Sequence, residues 1–167
     1  MSVYYNVPLI PQEASLTCWY ACAQMIVRFH RNRVQATTLA GGEVDQPRVT
    51  ALMTSMNRAL TPQLAIAVAS AMNLRMEFVS PTPAALENFL AGFGPLWYGG
   101  NVRGYRNVQS GAHAVVLTGI RRGVPGDEVL INDPWPSGAG GGAHLAMEYN
   151  DFFRKLQAVP GVPMLHI

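Results

Sequence analysis

The spacing of apolar residues changes partway along the chain. Before about residue 94, apolar residues recur at helical intervals, as they do from Cys18 to Arg31. After that point they form short runs between glycines and prolines, as in Ala112–Ile120 and Glu128–Asp133. Helices followed by strands predict an α+β fold, with a mainly helical lobe over about residues 1–94 and a β-sheet lobe over about residues 95–167.

Cap and turn residues place the individual elements. Thr61–Pro62 and Thr82–Pro83 are typical of a helix cap followed by the first helical position, whereas Asn150 would cap a short last helix. The predicted helices cover Cys18–Arg31, Pro47–Leu60, Pro62–Asn73, Ala84–Ala91, stopped by Gly92, and Asp151–Leu156. The predicted strands cover Arg75–Val79, Pro95–Tyr98, Ala112–Ile120, Glu128–Asp133, His144–Tyr149 and Met164–Ile167.

The composition fits a single domain over residues 1–167. The chain is 49% hydrophobic and 13% charged, which suffices for a core and is too apolar for a disordered chain. A formal net charge of +2 gives no reason to expect nucleic acid or a membrane as a partner. There is no run of about 18 apolar residues that would predict a membrane-spanning helix. We expect a monomer.

The N-terminal segment does not predict secretion through a signal peptide. MSVYYNVPLIPQ has no basic stretch followed by a long apolar core. The two cysteines, Cys18 and Cys22, stand one helical turn apart, and such a pair seldom has disulfide geometry. Nothing in the sequence therefore requires an oxidising compartment. We expect the protein in the cytoplasm of the producing cell, or exported by a specialised secretion system.

The segment Gln12–Phe29 contains the best candidate for a nucleophile. Cys18 would open an apolar helix capped by Thr17, where the helix dipole and unpaired backbone N–H groups favour a thiolate. Gln12 could return its side-chain NH₂ to the same place and form, with the N–H of Cys18, a two-donor pocket for an oxyanion. Taken alone, Cys18 and Cys22 are more often explained as small core residues.

A cysteine nucleophile needs a general base, and His113 is the best candidate. It begins a strand just after a glycine-containing loop, where a side chain can face a cleft. His30 lies some 18 Å along the helix from Cys18, at ~1.5 Å per residue, too far for proton transfer. His166 ends the chain, and His144 stays an alternative base. A histidine in an apolar strand is otherwise a structural residue.

Asp133 is the candidate that would orient the imidazole of His113. It ends the run VLINDPW, and strand alternation places it on the same face as Ile131. A hairpin through the turn at residues 121–127 would make His113 and Asp133 cross-strand neighbours, with Trp135 covering their hydrogen bond. The alternative is that Asn-Asp-Pro is only a strand-ending turn and that Trp135 packs in the core.

Taken together, these residues resemble the motifs of papain-like cysteine peptidases. The matching residues are Gln12, Cys18 with Trp19, the run Gly111–Val116 and the run Asn132–Trp135. The compact bacterial branch is the most similar, with its avirulence-effector and bacteriocin-processing peptidases. By this resemblance the nucleophile is Cys18, the general base His113, the orienting residue Asp133 and the oxyanion donor Gln12. The aspartate is a departure, since plant and lysosomal relatives carry an asparagine there.

The resemblance implies a papain-like two-lobe fold, with a buried nucleophile helix packed on a C-terminal antiparallel sheet. It also implies a peptidase that cleaves peptide or isopeptide bonds through a thioester on the cysteine, as a bacterial secreted effector or toxin domain. The glycine-bearing segments 99–111 and 137–143 would flank the cleft, the second as a mobile loop. Trp19, Trp97 and Tyr98 would either line substrate subsites or belong to the core.

Two other functions stay open. The same triad serves amidases, deamidases and transglutaminases, and a peptidase scaffold can also be a non-catalytic peptide-binding module. The expected partners are a protein or peptide substrate and a cognate immunity or inhibitor protein. We expect no cofactor and no metal, because Cys-x₃-Cys on one helix is not a convincing zinc pattern.

Overall fold

A computed structural model of the chain describes residues 2–14, 16–33, 51–52, 60–78, 82–106, 111–123 and 125–167. The helices in this part of the chain are α1 (Cys18–Arg33), α2 (Pro62–Met72), α3 (Pro83–Phe93) and α4 (Tyr149–Lys155). The strands are β1 (Val3–Tyr4), β2 (Arg75–Glu77), β3 (Leu96–Val102), β4 (Ala112–Arg121), β5 (Glu128–Asp133), β6 (Ala143–Glu148), β7 (Leu156–Ala158) and β8 (Met164–His166). Most of the predicted helix Pro47–Leu60 lies outside the described residues. Among the described helices, none is both long and apolar enough to span a membrane.

The strands of the described ranges form one antiparallel sheet. Its main path runs in the order β2-β8-β3-β4-β5-β6. β1 pairs with β4 just beyond the end of β3, and β7 pairs with the far end of β3. β1 and β2 come from the first half of the chain, where helices otherwise dominate. The protein is therefore an α+β protein, as the change in apolar spacing predicts.

Helices cover both faces of the sheet. On the first face, α1 and α2 form a core cluster with Ala114 and Val116. On the second face, α3 and α4 form another cluster with Val115 and Leu117. Alternate residues of β4 thus meet opposite cores, which explains why its middle, Ala114–Leu117, is apolar at every position rather than at every second one.

The predicted caps of α2 and α3 are confirmed. The Thr61 hydroxyl accepts the backbone N–H of Leu64 at 3.2 Å, and the Thr82 hydroxyl accepts that of Ala85 at 3.2 Å. A proline follows each threonine at the first helical position, where its missing N–H costs no hydrogen bond. These two helix starts are therefore specified locally, by residues adjacent in the sequence.

Two helix ends differ from the prediction. α3 does not stop at Gly92 but at Gly94, which has a φ of +85° and can take this conformation without the strain of a Cβ atom. α4 is capped by the carboxylate of Glu148, which accepts the backbone N–H of Asp151 at 2.7 Å, and not by Asn150. In both places a neighbouring residue of suitable chemistry replaces the predicted one.

β3 is longer than predicted and includes Gly99 and Gly100, which the sequence assigns to a loop. A Cβ atom at Gly99 would lie 2.4 Å from the side chain of Leu60, and one at Gly100 would lie 2.7 Å from that of Leu156. These glycines therefore allow neighbouring side chains to approach the strand, rather than interrupting it.

A one-residue bulge interrupts the pairing of β4 with β5. Near the turn, Gly119 lies opposite Leu130, but further along Leu117 lies opposite Ile131, so Thr118 has no partner of its own on β5. The part of β4 beyond the bulge is displaced by one residue against β5. Because side chains alternate between faces, this displacement decides which residues of the two strands share a face.

Candidate active site

Cys18 is the first residue of the buried helix α1, and 5% of its surface is exposed. The hydroxyl of Thr17 does not cap this helix as predicted. It instead accepts the backbone N–H of Ala14 at 3.1 Å and donates to the carbonyl of Ala14 at 3.0 Å. The hydroxyl is thus turned away from the first helical turn and does not occupy the N–H groups of Cys18 and Trp19, whereas the N–H of Tyr20 donates to the carbonyl of Thr17 at 3.1 Å.

Gln12 is buried and bound through both its side chain and its backbone. Its Nε2 donates to the carbonyl of Ala14 at 2.7 Å. Its backbone N–H donates to the carbonyl of Pro134 at 3.0 Å, and its carbonyl accepts the N–H of Gly138 at 2.9 Å. An amide NH₂ carries two hydrogens, so the bond to Ala14 fixes the orientation of the group and leaves one hydrogen for another acceptor.

His113 lies between Asp133 and Cys18. Its Nε2 is 2.8 Å from Oδ1 of Asp133, and Cys18 is near enough for its interaction with the ring to raise the pKa of His113. Because the carboxylate occupies Nε2, the nitrogen left for the sulfur is Nδ1. The structure thus brings three of the four predicted site residues into contact, and the fourth, Gln12, is tied to Pro134, the residue after Asp133.

The bulge at Thr118 decides whether Asp133 can reach His113. The observed register, continued by one residue, places Asp133 opposite Val115, which shares the second face with His113. Without the bulge, Asp133 would lie opposite Val116, and His113 would point to the face opposite to that of Asp133. The predicted cross-strand relationship therefore exists, but as a diagonal one that depends on an extra residue in β4.

Asp133 is fully buried and accepts hydrogen bonds on both oxygens. Oδ1 receives His113 and the backbone N–H of Trp135, at 2.8 Å and 2.9 Å. Oδ2 receives the guanidinium of Arg106 at 2.7 Å. Burial acts to raise the pKa of Asp133. The hydrogen bond and the charge of His113 act in the opposite direction, as do the hydrogen bonds from the Trp135 backbone and the Arg106 side chain, and together they lower the pKa. The carboxylate is therefore ionised at neutral pH.

Tyr105 and Arg106 also belong to this site, although no motif in the sequence points to them. The ring of Tyr105 is buried, with its centroid 6.0 Å from that of His113. Arg106 also donates to the carbonyl of Trp135, at 3.0 Å. Trp135, whose ring was predicted to cover the bond between His113 and Asp133, binds the carboxylate through its backbone N–H. A tyrosine and an arginine in a glycine-bearing loop carry no local signal, and only the fold brings them to Asp133.

Asp133 and Cys18, on either side of the imidazole of His113, raise its pKa. Burial acts to lower the pKa of His113, but the hydrogen bonds to Asp133 and Cys18, together with their charges, raise it to about 9. The ring is thus an imidazolium at neutral pH. Cys22 differs, since it has no exposed surface and burial, followed by the charges of Cys18 and Asp133, raises the pKa of its thiol well above the usual value.

The other candidate side chains lie away from this site. Nδ1 of His144 is 2.6 Å from Oδ1 of Asn132, which alternates with Asp133 and so faces the other side of the sheet. The ring of His166 stacks on Phe93, with centroids 4.2 Å apart. Within the described ranges, no group of three histidine, cysteine, aspartate or glutamate side chains could hold a metal ion.

Trp19, Trp97 and Tyr98 belong to the core. Their exposed fractions are 1%, 0% and 2%. The indole N–H of Trp97 donates to the carbonyl of Trp19 at 3.0 Å, which ties β3 to the start of α1. The interpretation of these rings as subsite lining is wrong, and the alternative that they pack in the core is confirmed.

The glycine-rich segment 137–143 is bound to the site. The N–H of Gly138 donates to the carbonyl of Gln12, and the N–H of Gly142 donates to that of Pro136 at 3.0 Å. A Cβ atom at Gly141 would lie 2.1 Å from the carbonyl oxygen of Pro136, so the turn needs a glycine there. The segment predicted as a mobile loop is therefore anchored at Gln12.

An α+β fold with a cysteine on a buried helix, beside a histidine on the sheet, defines the class of the papain-like cysteine peptidases. Within that class, the family Peptidase_C70, described as papain-like cysteine protease AvrRpt2, matches residues 1–148, and the chain belongs to this family. The resemblance inferred from the sequence motifs is thereby confirmed.

Comparison with solved structures agrees on the fold. One similar chain comes from the structural study of antibody cross-reactivity between the mite allergens Blo t 1 and Der p 1, with a TM-score of 0.50 and 11% identity. The alignment covers 96% of this chain and 66% of that one. No curated protein matches in a search by sequence. At this identity the likeness concerns the fold, and this chain spans about two thirds of the length of that relative.

Proposed function

We propose that the protein is a cysteine peptidase in which Cys18, His113 and Asp133 form the catalytic triad. The observation that carries this proposal is the placement of one imidazole between a helix-borne sulfur and a buried carboxylate, with a raised pKa. Nε2 on the carboxylate fixes the tautomer and the ring orientation, which is the role of the third member of such a triad.

In the acylation step, the thiolate of Cys18 attacks the carbonyl carbon of the scissile bond and the carbonyl oxygen becomes an oxyanion. The backbone N–H of Cys18 and the free amide hydrogen of Gln12 would donate to that oxyanion. The imidazolium of His113 then gives its proton to the leaving nitrogen, the carbon–nitrogen bond breaks, and a thioester and an amine remain.

In the deacylation step, neutral His113 accepts a proton from water, and the oxygen of that water attacks the thioester carbon. The same two donors hold the second oxyanion. The carbon–sulfur bond breaks, the carboxylic acid leaves, and the thiolate and imidazolium are restored. Asp133 stays ionised throughout, because the hydrogen bonds from Trp135 and Arg106, which help to lower its pKa, persist when His113 gives up its proton.

The substrate we propose is a peptide or isopeptide bond in a protein, and the biological role is that of a bacterial effector or toxin domain. The family description, which contains the name AvrRpt2, supports the role. A toxin would be matched by an immunity or inhibitor protein in its producer. Hydrolysis of a peptide bond, deamidation of a glutamine side chain and transfer of a glutamine acyl group to a lysine all use the same triad. The products therefore distinguish these reactions.

The test compares the wild type with Cys18→Ala and, as the matched control, Cys22→Ala. Each protein is treated with iodoacetamide at about pH 6, where a low-pKa thiolate reacts and a buried thiol does not, and the label is located by peptide mass mapping. We expect label at Cys18 alone. In parallel, unfolded casein is incubated with each protein and its fragments are identified by mass spectrometry.

Fragments that require Cys18 and persist with Cys22→Ala support a peptidase. A gain of about one dalton on glutamine, without fragments, would instead identify a deamidase. Label on Cys22, or full activity of Cys18→Ala, would contradict the assignment of the nucleophile.

A further inference from the structure

We propose that Arg106 is a positioning residue for this reaction, whose guanidinium balances the negative charge that Asp133 places beside His113. This inference rests on the proposed function, because it concerns the ion pair of Cys18 and His113. Arg106 reaches neither the sulfur nor the imidazole, and acts on both through the carboxylate.

The geometry places a cation on each side of one carboxylate. Nη1 of Arg106 is 2.7 Å from Oδ2 of Asp133, while Nε2 of His113 is 2.8 Å from Oδ1. The same Nη1 donates to the carbonyl of Trp135 at 3.0 Å, which holds the guanidinium at the end of β5. The carboxylate has no exposed surface, and the arginine side chain is 29% exposed. The guanidinium therefore lies between the buried carboxylate and solvent.

The charges of the site cancel only when Arg106 is counted. A thiolate at Cys18, an imidazolium at His113 and a carboxylate at Asp133 together carry one net negative charge. The other titratable groups that face the carboxylate are the hydroxyl of Tyr105 and the thiol of Cys22. Burial raises the pKa of both, so they are neutral and cannot compensate. Of the described groups around Asp133, Arg106 supplies the missing positive charge.

The backbone at Arg106 adopts a conformation that an arginine takes at a cost in free energy. Its φ is +48°, in the left-handed region that residues with a Cβ atom adopt at a cost. Gly104, two residues earlier, also has a positive φ, of +81°. Glycine or asparagine would take this conformation at Arg106 more easily, so the arginine contributes its guanidinium in spite of the backbone it requires.

Removing the charge of Arg106 and disturbing the contact between Cys18 and His113 change the pH profile of the reaction in different ways. Removing a nearby positive charge disfavours both the thiolate and the neutral imidazole, so both limbs of the bell-shaped pH profile move to higher pH. Loosening the contact between Cys18 and His113 instead weakens their mutual attraction. The lower limb then rises and the upper limb falls, so the bell narrows.

The experiment uses Arg106→Asn, because asparagine tolerates a positive φ and carries no charge. The value of kcat/KM for a fluorogenic peptide, which has both limbs, is measured from about pH 4 to about pH 10. The rate of iodoacetamide alkylation of Cys18 is measured over the same range and reports the lower limb, where the thiolate forms. We expect both limbs to move up together by roughly half a unit to one unit, less than for a directly paired charge. Arg106→Lys should retain the wild-type profile. Arg121→Gln, which removes an exposed arginine paired with Glu128, is the matched control.

A second pair of variants tests the direction in which charges near His113 move the two limbs of the pH profile. Asp133→Asn keeps an acceptor for His113 but leaves Arg106 unbalanced, so both limbs should move to lower pH. Combining Asp133→Asn with Arg106→Asn restores a balanced site and should return both limbs toward the wild type. If Arg106→Asn alone does not fold, this double variant buries no unpaired carboxylate and has to fold.

The possible outcomes distinguish a failure of the role proposed for Arg106 from a failure of the proposed catalytic triad. A narrowed bell, or an unchanged one, for Arg106→Asn would overturn the role of Arg106 and leave the triad standing. A double variant that fails to fold, or that does not move back toward the wild type, would overturn it too. A wild type whose kcat/KM shows no bell-shaped pH profile would overturn both proposals.

Discussion

The imidazole of His113 and the carboxylate of Asp133 are joined across β4 and β5 by a diagonal hydrogen bond of 2.8 Å. A bulge at Thr118 puts both side chains on the second face of the sheet. Directly beside this bulge, β1 pairs with β4, and Tyr4 of β1 lies opposite Gly119 of β4. The N-terminal strand and the relative positions of base and carboxylate are therefore linked through the same short stretch of β4.

The first prediction concerns this stretch. In Gly119→Ala, the added Cβ would lie 2.4 Å from the carbonyl oxygen of Val3 and 3.0 Å from Cα of Tyr4, so β1 must move. We expect a loss of about 1–3 kcal/mol in the free energy of unfolding, measured by urea denaturation. Gly123→Ala is the matched control, since no atom lies within 4 Å of its added Cβ. Equal stability of the two variants would contradict the close packing of β1.

The second prediction concerns the contribution of Cys22 to the stability of the core. Cys22 has no exposed surface, and its thiol lies among the apolar side chains of the first core cluster. Cys22→Ala should cost about 1–2 kcal/mol of unfolding free energy through the small cavity it leaves. Cys22→Ser should cost more, because it buries a hydroxyl in place of a weakly polar thiol. Both are measured by chemical denaturation; a serine variant as stable as the alanine one would count against a dry environment at this position.

The third prediction concerns pH and stability. The pKa of His113 is raised from 6.5 to about 9 in the folded protein, so protons bind the native state more tightly than the unfolded chain. Its contribution to stability is fully present below about pH 6.5 and is lost as the pH rises through about 9. The amount is on the order of 1–3 kcal/mol. The difference in unfolding free energy between the wild type and His113→Asn should shrink over this range, and a constant difference would disprove the shift.

The fourth prediction tests the oxyanion donor. Gln12→Ala removes one of two proposed donors, and kcat should fall by about 10²–10³-fold while KM changes little, because the bond forms only in the transition state. Gln12→Glu should be at least as damaging, since a carboxylate accepts rather than donates. Gln157→Ala, at an exposed glutamine of β7, is the control. A rise in KM with unchanged kcat would mean that Gln12 binds substrate instead.

Three features could be predicted from the residues alone: the class of fold, the starts of α2 and α3, and the residues of the candidate triad. Each depends on signals that lie close together in the chain: apolar spacing, a threonine before a proline, or a cysteine at the start of an apolar helix. The caps at Thr61 and Thr82 were predictable because the donor and acceptor are three residues apart.

Which of these residues meet depends on how distant segments pack. A bulge cannot be read from the sequence of β4, because it is defined only by pairing with β5, and it alone places Asp133 on the face of His113. Arg106 joins the site across 27 positions of the chain, and its role follows from the burial of the carboxylate rather than from its neighbours. Local chemistry nominates residues, but distances and electrostatic balance arise only when distant segments pack together.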